Sequence, residues 1–189
     1  LTDDSLQDRP IPNEKKVKVI TAEQSFTYMN CIQLLNVQEQ VVSKEFKSVD
    51  YNYESAGAKL LSTVGGVGLV GSVYEYPGLF QDMAGSESVS NTRIQELEWQ
   101  KRMINGDSTV PHFLPGLTFT LDEHPRGELN RDYFIYKVYH TIDQRGGALT
   151  LQEDGSPPEK TQAYQNQFEA FPSDIPFRPL RATFKPRIF

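Results

Sequence analysis

Cysteine, tryptophan and histidine are all scarce in this 189-residue chain, which holds one cysteine, Cys31, one tryptophan, Trp99, and three histidines. A single thiol cannot form an internal disulfide, so no disulfide framework supports the fold and a reducing compartment is the natural expectation. As a nucleophile Cys31 would need a nearby base, and no histidine precedes His112; a buried thiol is the plainer reading. No apolar run approaches the ~18–20 residues that span a membrane, and Leu1-Thr2-Asp3-Asp4-Ser5 lacks the basic and apolar regions of an export signal. An excess of positive charge is absent too. With 19 Lys and Arg against 25 Asp and Glu the net charge is −6, which argues against nucleic acid as a partner, since phosphate contacts need clustered cations. The first residue is not Met, as expected of a segment cut from a longer chain.

The usual signs of chemistry are equally thin. His112, His124 and His140 stand twelve and sixteen residues apart, with no helical His-Glu-x-x-His pair and no second cysteine, so no metal site is expected. His112 and His124 sit beside prolines at turns, and His140 closes a strand. Asp122-Glu123 and Glu153-Asp154 could in principle supply the two carboxyls, ~5–9.5 Å apart, of a glycosidase. Adjacent loop carboxylates are better read as solvated turn residues. No serine occupies a Gly-x-Ser-x-Gly elbow. The run Val64-Gly65-Gly66-Val67-Gly68-Leu69-Val70-Gly71 lacks the Lys-Ser/Thr of a phosphate cradle and reads as a mobile loop. The residues alone therefore offer no catalytic, cofactor-binding or metal-binding set, and they suggest an interaction or structural protein, not an enzyme.

What the chain does have is aromatic, strand-forming sequence. Hydrophobic residues make up 38%, and 13 glycines bring the total near the ~45–50% of globular chains counted with glycine. Nine Tyr and eleven Phe favour strands over a helical bundle. Residues 1–24, with Pro10, Pro12 and the cluster Lys15, Lys16, Lys18, read as an extended connector. Strand character follows from Phe26 to Tyr53, where Val49, Tyr51 and Tyr53 alternate with Asp50, Asn52 and Glu54, so that one face is buried and one is wet. Val73 to Tyr76 suggests a short strand stopped by a type II turn at Pro77-Gly78.

A single helix is expected from about Asp82 to Ile104, capped by Asp82 or Ser86, stopped by Asn105-Gly106, and burying Ile94, Leu97 and Ile104 on one stripe. Leu117, Phe119 and Leu121 alternate with threonines as a strand. Tyr133 to Ile142 carries bulky residues on both faces, which points to a barrel wall or a subunit interface. After a Gly/Pro-rich loop over 143–160, Tyr164, Phe168 and Ala170 form a last strand. The tail holds Pro172, Pro176, Pro179 and Pro186 among Arg178, Arg181, Lys185 and Arg187. Its Pro176-Phe177-Arg178-Pro179 fits a short polyproline pattern, whose plain alternative is a stiff linker with arginines paired to acidic neighbours.

At this tail the sequence resembles a known family. Phe168-Glu169-Ala170-Phe171-Pro172-Ser173-Asp174-Ile175-Pro176-Phe177-Arg178-Pro179, with Arg181, Thr183 and Lys185-Pro186-Arg187-Ile188, is similar to the segment joining hub to needle in VgrG spike proteins of the type VI secretion system. Leu114-Pro115-Gly116 with Phe119 and Leu121, and His124-Pro125 with Leu129-Asn130, resemble a second block of that family. Tyr76-Pro77-Gly78, Asp50-Tyr51-Asn52-Tyr53 and Leu1-Thr2-Asp3-Asp4-Ser5 match further landmarks in the same order.

The resemblance implies a mainly β fold with one prominent α-helix near 82–104, of the antiparallel β-barrel tube-domain type found in phage baseplate hubs. It further implies a homotrimer in the full-length protein that adapts the hexameric tail tube to a membrane-puncturing needle. Tail-tube protein hexamers, baseplate proteins and effector or needle-tip proteins would be the partners. Residues 1–24 would connect from a preceding tube domain, 25–170 would be the hub barrel, and 171–189 would lead toward a needle. The protein would move from the bacterial cytoplasm through the type VI apparatus without a signal peptide. Three other readings stay open: a phage or prophage hub of the same architecture, a cell-wall-degrading hub enzyme, and a peptide- or carbohydrate-binding module. If the needle is the main trimer lock, this chain by itself should give a monomer mass in light scattering, and a tight trimer would contradict that view.

Overall fold

The computed structural model describes residues 9–13, 15–20, 30–54, 57, 59–142 and 164–183. Among them the chain is mainly β, with nine strands and one α-helix, and it divides into two compact units. One unit comprises Leu1–Gln38 and Met103–Asp174, the other Glu39–Arg102 and Ile175–Phe189. The segments Leu1–Ser5, Phe26–Met29, 143–160 and Lys185–Ile188, on which several expectations fall, lie outside the described residues.

The first unit is built on a six-stranded sheet. Its strands are β1 (Lys16–Lys18), β2 (Ile32–Glu39), β6 (Arg102–Ser108), β7 (Thr118–Asp122), β8 (Asp132–Ile142) and β9 (Tyr164–Pro172), in the order β1-β7-β8-β9-β6-β2. The sheet is mixed: β7–β8, β8–β9 and β9–β6 pair antiparallel, whereas β1 runs parallel to β7. It curls into a half-barrel whose first and last strands meet at a single bridge, Val19 to Ile32, with the Ile20 amide donating to the Ile32 carbonyl at 2.9 Å. The expected all-antiparallel sheet is thus corrected at β1, a short strand lying within the stretch read as a connector.

Aromatic residues fill the inside of the curl. Phe119 lies 4.8 Å from Phe113, 5.8 Å from Phe168 and 5.8 Å from Tyr133, ring centre to ring centre, and all four are buried. Ile11, Val17, Ile32, Ile104, Leu121, Leu129 and Ile135 complete this core. Each such side chain contributes about 1.5–3 kcal/mol of burial, and offset or edge-on ring pairs add to that. The alternation read at Leu117, Phe119 and Leu121 matches β7, and the last strand lies at β9. The two-faced burial read for Tyr133 to Ile142 holds for Tyr133, Phe134 and Ile135; beyond a register shift between Ile135 and Lys137, Tyr139 and Ile142 are exposed.

The second unit has a three-stranded sheet, β3 (Ser43–Tyr51), β4 (Lys59–Gly65) and β5 (Val70–Glu75), in the order β4-β3-β5, with β4 antiparallel and β5 parallel to β3. Helix α1 (Met83–Glu98) packs on it. The period-two alternation is real, but its sides are reversed. Phe46 and Ser48 are buried beneath the helix and Asp50 points the same way, while Tyr51 is 60% exposed. Ser86, Ser90 and Ile94, spaced four apart, form the buried face of α1. The small serines let helix and sheet approach closely.

The Val-Gly run ends β4 and begins β5 instead of forming a free loop. Its turn is fastened at Val67, whose amide donates to Glu98 Oε1 at 2.8 Å and whose carbonyl accepts from Lys101 Nζ at 2.9 Å. At Gly68 a Cβ would meet the Val42 carbonyl oxygen at 2.1 Å, so only glycine fits there. The ends of the second unit's first segment are held together: the Gln40 amide donates to the Lys101 carbonyl at 3.0 Å, and Arg102 pairs with Glu39 at 3.2 Å.

The helix also ends earlier than its periodicity suggests. A 3-10 turn, Trp99–Lys101, closes it, and Ile104, Asn105 and Gly106 belong to β6, opposite Ala170, Glu169 and Phe168. Gly106 is therefore no left-handed helix stop. A Cβ there would meet the Leu34 carbonyl oxygen at 2.0 Å, so the glycine permits close passage of β2 and β6. Gly106→Ala should cost about 1–3 kcal/mol through this overlap, read as a lower midpoint in urea unfolding; an unchanged midpoint would mean that the strands can separate freely.

Candidate assembly site

The candidate residues of the sequence fall into separate, structurally explained positions. Cys31 is buried, with Sγ 3.7 Å from Thr109 Oγ1. His112 Nε2 lies 3.0 Å from Asn13 Nδ2, and His140 Nδ1 lies 2.6 Å from Tyr164 Oη. His124 is enclosed in its own loop: its amide donates to Asn130 Oδ1 at 2.9 Å, Asn130 Nδ2 donates to its carbonyl at 3.1 Å, and its Nδ1 accepts from the Arg126 amide at 3.0 Å. Leu129, beside this clasp, is a core side chain. The His124-Pro125 and Leu129-Asn130 block is thus a folded corner. Asp122 and Glu123 pair with Lys16 and Lys18 at 3.5 and 2.6 Å, and Lys15 with Asp132 at 3.1 Å, so the basic cluster answers a row of carboxylates. Among the described residues no three His, Cys, Asp or Glu side chains converge in a way that could hold a metal ion. Glu153 and Asp154 lie outside the described residues.

What the structure does assemble is a seat for the proline-rich tail, inside the second unit. Asp50 prepares it. Its Oδ2 accepts the amides of Leu79 and Phe80 at 2.6 and 3.2 Å, its Oδ1 accepts that of Tyr51 at 2.7 Å, and the Gly78 amide donates to the Val49 carbonyl at 3.0 Å. The expected type II turn, which would put glycine in the left-handed region, is not formed. Leu79 carries the positive φ of 61° instead, and the Asp50 carboxylate holds it there. This turn delivers Asp82 as N-cap of α1, where its Oδ1 accepts the Gly85 amide at 2.6 Å.

Three charged side chains of the helix and β5 and one of the tail alternate in sign around a ring. Arg181 binds Glu75 through two parallel hydrogen bonds, Nη1 to Oε1 at 2.9 Å and Nη2 to Oε2 at 3.0 Å. Its Nε lies 3.6 Å from Glu96 Oε2. Glu96, a buried carboxylate one turn from Arg93, pairs with that residue, and Arg93 Nε closes the ring 3.7 Å from Glu75 Oε2. Two further contacts fix the segment: Arg178 Nε donates to Gln95 Oε1 at 3.1 Å, and Phe177 stands edge-on to Trp99 at 5.3 Å. The Arg181 guanidinium is pushed above its ordinary value, first by its hydrogen bond to Glu75 and then by the charges of Glu75 and Glu96, against a desolvation that lowers it. A group raised in the folded state stabilises below its unfolded value and loses that effect only as pH rises through the folded one. The clasp therefore stays charged on the arginine side throughout the neutral range.

The plain reading of the tail, arginines paired to acidic neighbours, holds for Arg181. Sequence inspection missed Asp50, Glu75 and Glu96. The spacing of Arg93 and Glu96, three residues apart, is the one local signal, since such pairs face each other on a helix. The arrangement anchors the segment through paired charges.

Comparison with known proteins bears on this. Residues 1–146 match the family described as phage tail baseplate hub (GPD). The chain is similar to the actin cross-linking toxin VgrG1 of Vibrio cholerae, 28% identical over 149 residues, which are 76% of this chain and 13% of that protein. It is similar to the type VI secretion system spike protein VgrG4b of Pseudomonas aeruginosa, 30% identical over 118 residues, 61% of this chain and 15% of that protein. The chain thus spans 13% and 15% of the length of these two relatives. Its fold is like that of the 43 kDa tail protein of prophage MuSo2 from Shewanella oneidensis, with a TM-score of 0.58 at 8% identity over 90% of this chain and 45% of that one. A tail protein from Neisseria meningitidis MC58 gives 0.55 at 10% identity, over 88% and 46%.

Because Arg181 is partly exposed, Arg181→Ala should cost only about 1 kcal/mol in global stability, while amide hydrogen exchange over residues 175–183 should rise sharply. Arg181→Glu should release the segment fully, and pairing it with Glu75→Arg should restore part of the protection. Asp50→Ala should cost about 1–3 kcal/mol, because the amides of Tyr51, Leu79 and Phe80 lose a charged acceptor; thermal unfolding measures it.

Proposed function

Because this chain belongs to the phage tail baseplate hub family, we propose that it is the hub portion of a type VI secretion spike protein, a structural adapter between tail tube and needle. The observation that carries the reading is the anchored tail: Arg181, Arg178 and Phe177 bind the segment leaving the second unit to α1 and β5. A spike driven by a contracting machine must pass axial force from one element to the next without the junction peeling. Two parallel guanidinium–carboxylate bonds with buried support resist peeling better than isolated surface pairs.

On this reading residues 171–189 lead toward the needle. Residues 1–24 bring the chain from a preceding tube domain, contributing β1 on the way, and 25–170 form the body of the hub. The half-barrel, open but for one bridge, completes its wall against a neighbouring copy in a trimer. Tail-tube hexamers, baseplate proteins and an effector or tip protein are then its partners, and it leaves the cell through the apparatus itself. Among the described residues no helix is long and apolar enough to cross a membrane. The hub works by shape and stiffness and carries out no reaction; clearing of peptidoglycan by the pure protein would overturn this. A phage or prophage hub is the second reading, favoured by the fold likeness to two tail proteins.

Electron microscopy of the full-length protein with its needle tests the proposal. A threefold particle is expected, and a monomer would sink it. In the same protein Arg181→Glu should keep the threefold particle yet reduce delivery by the intact machine.

A further inference from the structure

A second surface lies on the outer face of the first unit's curled sheet. There four adjacent strands enclose a groove of about 330 Å³, walled by Asn36 of β2, Asn105 and Asp107 of β6, Gln167 and Glu169 of β9, and Tyr139 of β8. Strand register sets these in two rows. Asp107 stands opposite Gln167 and Gln167 opposite Tyr139; Asn105 stands opposite Glu169 and Glu169 opposite Lys137. With strands ~4.8 Å apart, Asp107 and Tyr139 stand roughly 10 Å apart on either side of Gln167, so that a flat polar group would lie over the Gln167 side chain.

The charges in the two rows differ in state. Glu169 is matched by Lys137 at 3.3 Å, whereas Asp107 has no ion pair among the described residues. Tyr139 is 57% exposed, and its ring already draws a cation, with Lys137 Nζ 4.7 Å from the ring centre. Among the described residues the groove therefore offers one negative charge without a counter-ion, an aromatic face and several amide oxygens.

We propose that this groove docks an arginine side chain of a partner protein. A guanidinium is planar, permanently charged, carries five N–H donors and stacks on aromatic rings. Asp107 would take two of those donors in parallel, the amide oxygens of Asn36, Asn105 and Gln167 the others, and Tyr139 would offer the ring face opposite the one held by Lys137. Leu34, also at the groove, would cover the methylenes of the arginine stem. An anion is disfavoured by the Asp107 charge, and a neutral sugar would use the amides and the ring but leave that charge unanswered. The inference does not depend on which machine the hub serves.

The test is an NMR titration of the isotopically labelled chain with N-acetyl-arginine methylamide, with its citrulline counterpart, which keeps the shape without the charge, and with chitobiose. Shifts confined to the outward residues of β2, β6, β8 and β9 are expected for the arginine probe. Affinity should fall about tenfold or more in Asp107→Asn and also in Tyr139→Ser, and weaken as salt rises. Both substitutions lie on the outer face, so the shifts of core residues such as Phe119 report whether the fold is kept. Equal response to citrulline or chitobiose, unchanged binding in Asp107→Asn, or no response to the arginine probe would each overturn the proposal.

Discussion

Phe119 meets Phe113, Phe168 and Tyr133 at once, and these rings come from a loop and from strands β7, β8 and β9. A flat sheet could not bring them together. A curled one brings residues from three neighbouring strands and a loop around a common centre, and the volume of four rings bears on how tightly it curls. The rest of the first unit follows from that constraint. Gly106 must lack a side chain so that β2 can approach β6, and Leu129 must turn inward beneath the His124 corner. β1 stays beside β7 through backbone pairing, as where the Thr120 amide donates to the Lys15 carbonyl at 2.8 Å, with Lys16 and Lys18 facing Asp122 and Glu123 alongside.

The second unit is governed differently. Its helix faces the sheet with Ser86 and Ser90 as well as Ile94, and the sheet answers with Ser48 and Ser62, all buried. Small side chains let helix and sheet approach, Phe46, Leu60, Phe80 and Trp99 are buried beside them, and polar contacts such as those of Asp50 fix the turn that leads into the helix. A charge ring can then sit at the margin, with Glu96 covered on one side by its own helix and on the other by Arg93 and Arg181.

These two regimes explain what was legible in the sequence. Phe119, Leu121, Phe168 and Ala170 obey hydrophobic alternation, so β7 and β9 could be read directly. The helix could be recognised but not its end, because Ile104 satisfied helical spacing while its real partner, Ala170, lies far along the chain. The face of β3 was reversed for a related reason. Alternation fixes which residues share a side, and only the helix decides which side is covered. Of the assembly site, the arginines of the tail were visible as a composition, and one of their partners was foreseeable in kind. Asp50 and Glu75 were not, since a carboxylate that organises a distant turn looks like any strand-edge charge until the chain is folded.

The clamp at the ends of the stretch from Glu39 to Arg102 has a further meaning for the half-barrel. Strands β2 and β6 are neighbours in one sheet, and the chain leaves one and enters the other at points tied by Gln40 to Lys101 and by Glu39 to Arg102. To the half-barrel, everything between behaves as a tight hairpin turn, whatever its length. The entropy of closing a loop depends on how far apart its ends can wander, and here they cannot. A change in the length of the intervening unit should therefore leave the register of the half-barrel's strands unchanged. In this chain the clamp thus separates the length of the inserted unit from the pairing of β2 with β6.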